Sequence, residues 1–397
     1  MRRIARVVPG YAALFMALMA VLIDSPPLFY MATAMIATIV ACRIQASLSV
    51  RGLRLERTTP PASHVGELVT VSLAVWSEHR MKRPLIQVLD HLPPRLKAAD
   101  RTPSVPIAPS FDQPIQTRYS FRPMRRGIFR WSDVEVIGTD ALGLVTTSKI
   151  YTTEPTELVV YPAKFAVSLA LKPVSGTGGM TDAEAGKYRG SGLEPRGVRE
   201  YVPGDPQRHV HWPSSARHGS LMVKEFESGA ELSASFLIQL EKGTEVGEML
   251  TTLEAMCGHA VFLAESFFKL GASVQFPLLN DRAVPGMAAH ERLRQINELL
   301  AQVHADHEDS LSTDLMTSSL QLPDGGSLYI MLAVADAPLP GVLARMQQFE
   351  RVCLIYDPVD YGALPPRAKS ACDPVYLDEL RAAGCQVIMM PKVVDLS

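Results

Sequence analysis

The chain has 397 residues, a formal charge of −2, and 47% hydrophobic and 20% charged residues. A chain of this length holds two or three domains with buried cores. Its near-neutral balance argues against a protein devoted to nucleic acid, and its composition argues against wholesale disorder. The five cysteines form no CxxC pair. Their spacing therefore indicates neither a disulfide framework nor a zinc site, and it fits a reducing compartment.

The N-terminal stretch predicts a transmembrane helical hairpin. Between Val7 and Cys42 there is one charged residue, Asp24. That stretch suits two spans of roughly 17–20 residues, and Asp-Ser-Pro-Pro at 24–27 predicts the turn. We place the helices at about 7–23 and 27–42 and the hairpin domain at 1–46.

The charge pattern predicts the orientation of this hairpin. Arginines precede the first helix and follow the second, and the turn has neither Lys nor Arg. The positive-inside rule then predicts a multi-pass protein of the bacterial inner membrane with both termini in the cytoplasm. A cleaved signal peptide followed by a single anchor, which would export the rest of the chain, is the alternative.

Residues 47–162 predict an antiparallel β-sandwich. In Gly66–Trp76 the alternate residues Val69, Val71, Leu73 and Val75 form one apolar face, as a half-buried strand requires. Short strands separated by turn residues at regular spacing are typical of a sandwich. The other predicted strands are Leu48–Leu55, Leu85–Leu89, Gln116–Phe121, Ile128–Ile137 and Leu158–Tyr161, and Ala98–Pro114 is a predicted loop.

Residues 231–397 predict an α/β domain with a mostly parallel sheet, because fully apolar strands alternate with helical patterns. Gly271 and Gly384 follow helical runs, as C-terminal capping glycines do. The predicted strands are Ser235–Leu240, Ser273–Leu279, Leu328–Val334, Val352–Tyr356 and Cys385–Met390. The predicted helices are Glu248–Leu270, His290–His304, Leu339–Glu350 and Val375–Ala383.

Between these domains, residues 163–230 form a linker followed by what we call the signature segment, residues 188–226. Arginines and carboxylates interleave along it with Trp212 and Tyr201. Planar Arg–carboxylate pairing predicts a structural ion-pair network, and the aromatic rings predict rigid packing. Pro203-Gly204-Asp205 is a turn signal.

The signature segment resembles a known family. Arg199-Glu200-Tyr201, Pro203-Gly204-Asp205, Arg208, Trp212 and Ala216-Arg217 resemble the signature of the bacterial family catalogued as domain of unknown function 58. Arg125-Arg126-Gly127 and Asp140–Leu144 resemble two further elements of that family. His211 and Pro213 depart from it, because many members carry Asp and Lys there.

The resemblance implies a membrane hairpin, a β-sandwich, the signature and a von Willebrand factor A-like domain, without an established reaction or cofactor. It implies a membrane-tethered, non-enzymatic scaffold or adaptor in protein-complex assembly or maturation. The implied partners are the lipid bilayer, a MoxR-type AAA+ ATPase and a transglutaminase-like membrane protein. The residues expected to form the partner-binding or structural core are Arg199, Glu200, Tyr201, Pro203, Gly204, Asp205, Arg208, His211, Trp212 and Arg217.

Metal binding is the main rival. A von Willebrand A domain often binds a hard cation through Asp-x-Ser-x-Ser after its first strand. Here Glu241-Lys242 stands in that place without the serines, and Asp336 follows a later strand. His209 and His211 would share one face of a strand, and together with His218 they could bind zinc. The alternatives to a scaffold are therefore a metal-dependent hydrolase using the His209/His211 region and a nucleic-acid-binding membrane protein.

Overall fold

The structure is a computed structural model with two compact units, one formed by the described residues up to 163 and one by the described residues from 164 onward. It describes residues 2–80, 85–96, 104–111, 113–169, 175–176, 195–201, 210–226, 231–279, 281, 287–317, 322, 326–366 and 368–393.

The first unit begins with two apolar helices, α1 (Arg2–Leu22) and α2 (Pro26–Ser49). Asp24, with φ of 53°, and the prolines that begin α2 make the turn between them. The apolar side chains of both helices are mostly exposed. By length and composition α2 is able to cross a membrane, and Gly10–Leu22 is a shorter apolar helix.

Helix α2 continues seven residues beyond Cys42, where hydropathy predicts its end. Arg43, Gln45 and Ser47 lower the hydropathy of this part, but the intervening residues are good helix formers. The prediction of a strand from Leu48 to Leu55 is therefore wrong in its first part. The first strand begins at Leu53.

The β part of this unit contains two sheets that share one hydrophobic cluster. The strands are β1 (Leu53–Thr58), β2 (Ala62–His64), β3 (Val69–Ser77), β4 (Ile86–Asp90), β5 (Ser104–Ile107), β6 (Ile115–Phe121), β7 (Gly127–Thr139) and β8 (Thr146–Tyr161). Their orders are β1-β3-β6 and β2-β8-β7-β4-β5. The pairs are antiparallel, as expected, except that β2 runs parallel to β8.

Strand β3 confirms the alternation seen in the sequence, because Val69, Val71, Leu73 and Val75 are buried. Strand β8 is far longer than the predicted Leu158–Tyr161. Its first residues are polar and largely exposed, so no apolar face marks them, yet they pair with the second half of β7. Strand β5 lies in the predicted loop Ala98–Pro114, where its short Ser-Val-Pro-Ile sequence gives little periodicity.

The second unit contains a five-stranded parallel sheet of order β13-β12-β14-β15-β16. The strands of this unit are β9 (Ser175–Gly176), β10 (Pro195–Glu200), β11 (Met222–Phe226), β12 (Glu231–Ile238), β13 (Ser273–Gln275), β14 (Gly326–Leu332), β15 (Phe349–Ile355) and β16 (Gln386–Met389). Strand β9 pairs antiparallel with β12. Its helices are α3 (Trp212–His218), α4 (Thr252–Lys269), α5 (Ala289–Gln302), α6 (Leu311–Met316), α7 (Leu339–Leu343) and α8 (Pro374–Ala382).

Alternate residues of the parallel strands enter two different hydrophobic clusters. Phe236 and Ile238 pack with residues of α4 and α5, whereas Leu237 packs with residues of α6, α7 and α8. Successive strand residues point to opposite faces. Helices therefore cover both faces of the sheet, which explains why these strands read as fully apolar.

Two predicted elements of this unit are cut short. The predicted helix Leu339–Glu350 ends at Leu343, and Phe349 already belongs to β15. The predicted strand Ser273–Leu279 ends at Gln275, because Pro277 opens a 3-10 turn. The capping glycines are confirmed, since Gly271 and Gly384 have φ of 78° and 80° after α4 and α8.

Candidate functional site

The described part of the signature segment is a β-hairpin that carries a short helix. Strands β10 and β11 pair antiparallel from Pro195↔Phe226 to Glu200↔Met222. Tyr201 N–H donates to the carbonyl of Leu221 at 2.8 Å and extends the ladder by one bond. Val210 then bridges to Val223, and α3 follows directly. The signature thus places α3 against the outer end of the hairpin.

Ser215 fastens α3 to β11. Its hydroxyl donates to the His211 carbonyl at 3.0 Å and accepts from Met222 N–H at 2.8 Å. His211 N–H donates to the Met222 carbonyl at 2.8 Å. Gly219 ends the helix in the left-handed conformation that favours glycine, with φ of 68°. A seven-residue helix is too short to be stable alone, so these bonds hold it in place.

Hydrogen bonds hold helix α3 in place, but its side chains are not buried. None of its residues is buried, and Trp212 at its start is 69% exposed. Leu221 and Val198 on the hairpin are also exposed. Instead of supplying internal packing as the sequence suggests, Trp212 presents a large apolar surface to the outside, and partner-binding surfaces are enriched in Trp.

The structure tests only part of the predicted signature core. Glu200 and Arg217 are exposed, and Glu200 accepts a hydrogen bond from the Ser220 hydroxyl at 3.4 Å. For Arg199 only the backbone is described, paired with Val223. Pro203, Gly204, Asp205, Arg208 and His209 lie outside the described residues, so the predicted ion-pair network stays a prediction.

His211 is the residue before α3, and its N–H bonds to the Met222 carbonyl next to the bridge between Val210 and Val223. His209 lies outside the described residues, so the expectation that the two histidines share one face of a strand stays a prediction. Its Nδ1 lies 2.7 Å from the Ser214 hydroxyl, while Nδ1 of His218 lies 3.1 Å from the Ser214 carbonyl. Both contacts are made to Ser214, one to its hydroxyl and one to its carbonyl, and both are local to α3 and the residue before it.

The second set of predicted residues lies at the carboxyl edge of the parallel sheet. From β12 the chain goes to β13 on one side and later to β14 on the other, which creates a crevice between β12 and β14. The Gln239 side chain fills this position. Its amide oxygen accepts from the backbone N–H groups of Ala333 and Val334, and its nitrogen donates to the Val334 carbonyl.

Asp336 is buried beside this crevice, where Ser312 satisfies both of its carboxylate oxygens. The N–H of Ser312 donates at 2.7 Å and its hydroxyl donates at 2.9 Å. Burial and the negative charge of Asp336 raise the pKa of Glu241. Within the described ranges, no group of three His, Cys, Asp or Glu side chains is arranged to hold a metal. Glu241 and Asp336 are therefore brought near each other, but Asp336 is engaged in the protein's own hydrogen bonds.

Gln239 and Ser312 are the residues that the sequence does not reveal. Gln239 stands at the end of an apolar run and looks like an ordinary polar boundary. Ser312 lies in α6, a six-residue helix with too few turns to produce a periodic pattern. Ser310 begins α6 and accepts a hydrogen bond from Thr313 N–H, which is the local signal for this helix.

The same edge of the sheet carries a cleft of about 930 Å³ formed by the loops after β12, β15 and β16. Glu245, Glu248 and Asp360 line it together with Lys392, whose Nζ lies 3.7 Å from Asp360. Burial raises the pKa of Tyr361 in its wall to about 12. Its wall combines apolar and charged side chains.

The described residues thus define a class of protein with apolar N-terminal helices, a two-sheet β unit and a doubly covered α/β unit that carries a hairpin and an exposed short helix. Residues 197–324 match the family described as "Protein of unknown function DUF58". This match confirms the family recognised from the signature.

A relative points the same way. An uncharacterized protein of Bacillus subtilis, YeaD, is 23% identical over 256 residues, which is 63% of this chain. The match spans 62% of that relative, slightly less than two thirds of its length.

Similarity to solved structures is limited to short stretches. The CARDB domain of a Pyrococcus furiosus protein aligns with 27% of this chain and 91% of its own length, at 14% identity and a TM-score of 0.20. A β-glucosidase from Listeria innocua aligns with 27% of this chain and 16% of its own, at 15% identity and a TM-score of 0.18. Scores this low support no conclusion about fold or activity.

Proposed function

We propose that this protein is a membrane-tethered, non-enzymatic scaffold or adaptor that binds a protein partner through its signature segment. The single observation that carries the proposal is Trp212, an exposed Trp on a helix that hydrogen bonds fasten to a hairpin. Single exposed apolar residues are common on monomers, but Trp is strongly enriched in binding hot spots, and Leu221 and Val198 of the hairpin are exposed as well.

The membrane part of the proposal rests on α1 and α2. Their exposed apolar side chains would be unfavourable in water and favourable in lipid. A core helix of the same length would instead be largely buried by its neighbours. We propose a multi-pass anchor in the bacterial inner membrane with both termini in the cytoplasm, following the distribution of arginines.

The finer fold assignments complete the proposal. The two sheets of the first unit share a core, which supports a β-sandwich. The doubly covered parallel sheet of the second unit supports a von Willebrand factor A-like domain. At the carboxyl edge of this sheet, Gln239 and Asp336 are engaged in hydrogen bonds with backbone groups and with Ser312.

The proposed partner is a MoxR-type AAA+ ATPase, which the family resemblance implies. Co-purification from native membranes tests this proposal. We expect the unmodified chain to retain the ATPase and Trp212→Ala to lose it, because losing a hot spot of about 2 kcal/mol weakens binding roughly 30-fold.

Met316→Ala is the matched control, because Met316 is 65% exposed but lies on α6, outside the signature segment. This variant should keep the partner. Recovery of no AAA+ ATPase by the unmodified chain would contradict the partner assignment. Equal recovery by Trp212→Ala would contradict the assignment of the surface.

A further inference from the structure

The end of α2 is joined directly to the β unit, without a linker. Cys42, Ala46 and Ser49 form one buried face of the helix. Across this contact the Gln45 side chain accepts a hydrogen bond from Ala141 N–H at 3.2 Å. The Tyr151 hydroxyl donates to the carbonyl of Val50 at 2.6 Å. The helix therefore fixes the position of the loop between β7 and β8, residues 140–145, relative to its own axis.

The opposite face of α2 stays apolar and exposed down to this contact. Ile36, Val40, Ile44 and Leu48 are exposed and follow each other at a spacing of four residues. On a helix this spacing gives one continuous stripe. The stripe passes Arg43, whose long side chain can reach headgroups while its stem stays in lipid. The lipid-facing surface of α2 therefore reaches the level of the β unit.

The length of α2 sets this level. From Phe29 to Leu48 the helix rises about 29 Å at 1.5 Å per residue. The hydrocarbon core of a bilayer is about 30 Å thick. If Phe29 lies at one boundary of the hydrocarbon, the other boundary falls beside Ile44 and Leu48. Gln45 lies at that level, and the loop it binds lies there too.

The loop has a fixed shape and an apolar tip. The carboxylate of Asp140 accepts from Val145 N–H at 2.6 Å and from Leu142 N–H at 2.9 Å. Burial opposes ionisation of Asp140, but these hydrogen bonds prevail and lower its pKa. Gly143 turns the chain with φ of 71°. Leu142 projects from this turn and is 64% exposed.

We infer that the loop 140–145 is a second membrane contact, in which Leu142 inserts into the leaflet that surrounds the end of α2. The inference rests on the proposed membrane anchor and adds a lipid-binding site on the β unit. Its occupant is the bilayer, because the apolar stripe of α2 continues to the level of the loop. An anchored helix and an inserted loop together would fix the tilt of the β unit on the membrane.

Site-directed fluorescence in proteoliposomes of phosphatidylethanolamine and phosphatidylglycerol tests the inference. The full chain carries Cys372→Ser, since Cys372 is the one cysteine of the five that is not buried. An environment-sensitive probe is attached to Leu142→Cys, and in a second sample to Ala141→Cys. We expect emission at shorter wavelength and several-fold stronger quenching by lipids spin-labelled near the headgroup than at a control position.

Leu68→Cys is that control. Leu68 is 57% exposed, but it precedes β3 at the end opposite Ser77, roughly 30 Å along the strand. Val40→Cys, measured with lipids spin-labelled along the acyl chain, reports the anchor itself, because Val40 lies about 12 Å along α2 from Leu48, inside the hydrocarbon. A Leu142 probe as poorly quenched as the Leu68 probe, with Val40 strongly quenched, overturns the loop contact and leaves the anchor standing. Weak quenching at Val40 overturns the anchor, and the loop contact with it.

Discussion

Arg57 and Asp90 form a charge pair that is fully buried between the two sheets of the β unit. Nη2 of Arg57 lies 2.7 Å from Asp90 Oδ1, and both side chains have no exposed surface. The Tyr119 hydroxyl donates to Asp90 Oδ2 at 2.6 Å, and the Arg57 guanidinium lies over the Trp131 ring. Burial and the neighbouring Asp90 raise the pKa of Tyr119, so its proton stays in this hydrogen bond. The network joins β1, β4, β6 and β7.

Asp90→Ala should strongly destabilise this unit. It leaves the Arg57 guanidinium buried without a counter-charge, which typically costs about 3–5 kcal/mol. Denaturant unfolding measures the change in the free energy of unfolding, and hydrogen exchange of β3 and β4 assigns this change to the β unit. Glu157→Ala is the control, because its pair with Arg130 is exposed and should contribute little. Equal stability of the two variants would show that Arg57 finds another partner.

His259 lies buried on α4, with its Nδ1 3.2 Å from the Tyr356 hydroxyl and its ring against Phe165. Burial lowers the pKa of His259 to about 4. Between pH 6.5 and 4 the unfolded chain therefore binds a proton that the folded chain does not. The free energy of unfolding should fall by roughly 3 kcal/mol as the pH drops through this window.

His259→Gln should remove this part of the pH dependence, whatever it does to stability at neutral pH. The measurement compares the slopes of unfolding free energy against pH for the two proteins. Parallel slopes between pH 6.5 and 4 would mean that His259 is protonated in the folded state as readily as in the unfolded one.

At the scale of elements, the junction between α2 and β7 depends on Gly138. A Cβ at this position would collide with the Ser49 hydroxyl and lie 2.7 Å from Val50 Cγ1. The end of α2 would then have to move away from the sheet. Gly138→Ala should cost about 1–3 kcal/mol, as overpacking does in a close contact.

Hydrogen exchange of residues 46–50 measures this effect, which we expect to increase in Gly138→Ala. Gly341→Ala is the matched control, because a Cβ there meets nothing within 4 Å and α7 should be undisturbed or slightly stabilised. Unchanged exchange at the end of α2 would show that the junction yields without cost, and it would weaken the case for a fixed loop 140–145.

The elements that the sequence predicts well are those in which burial requires a regular pattern of apolar residues. Strand β3 has one buried face and β14 is buried on both, so alternation and a continuous apolar run identify them. The first part of β8 and all of α6 leave no such pattern, because one is polar and exposed and the other is too short. The end of α2 is not predicted by hydropathy, because Arg43, Gln45 and Ser47 lower the hydropathy of this part while the residues between them still favour a helix.

The candidate site shows the same division. The motif around Trp212 is visible in the sequence alone, and it lies within residues 197–324, which match the family model. The exposure of Trp212 and the hydrogen bonds of Ser215 depend on how α3 packs against β11, and residue spacing alone does not predict that packing. Likewise the sequence shows Asp336 as a carboxylate after a predicted strand. It does not show the hydrogen-bond partner of Asp336, because Ser312 lies 24 positions earlier in the chain.

For the whole molecule, the arginine distribution predicts which side of the membrane carries both units. Arg2, Arg3 and Arg6 precede the exposed apolar part of α1, and Arg43 and Arg51 lie near the end of α2. Basic residues flanking a span are retained on the cytoplasmic side. The turn at Asp24 should therefore face outward, and everything after α2 should stay inside.

Two reporter fusions test this topology in cells. Alkaline phosphatase, which needs an oxidising compartment, should be active when fused after Ser25 and inactive when fused after Ser397. A fluorescent protein that folds only in the cytoplasm should give the opposite pattern. Phosphatase activity after Ser397 would place the signature segment outside the cytoplasm, where an ATP-driven partner has no nucleotide. That single result would remove both the orientation and the proposed ATPase, while leaving Trp212 as a docking residue for an extracytoplasmic protein.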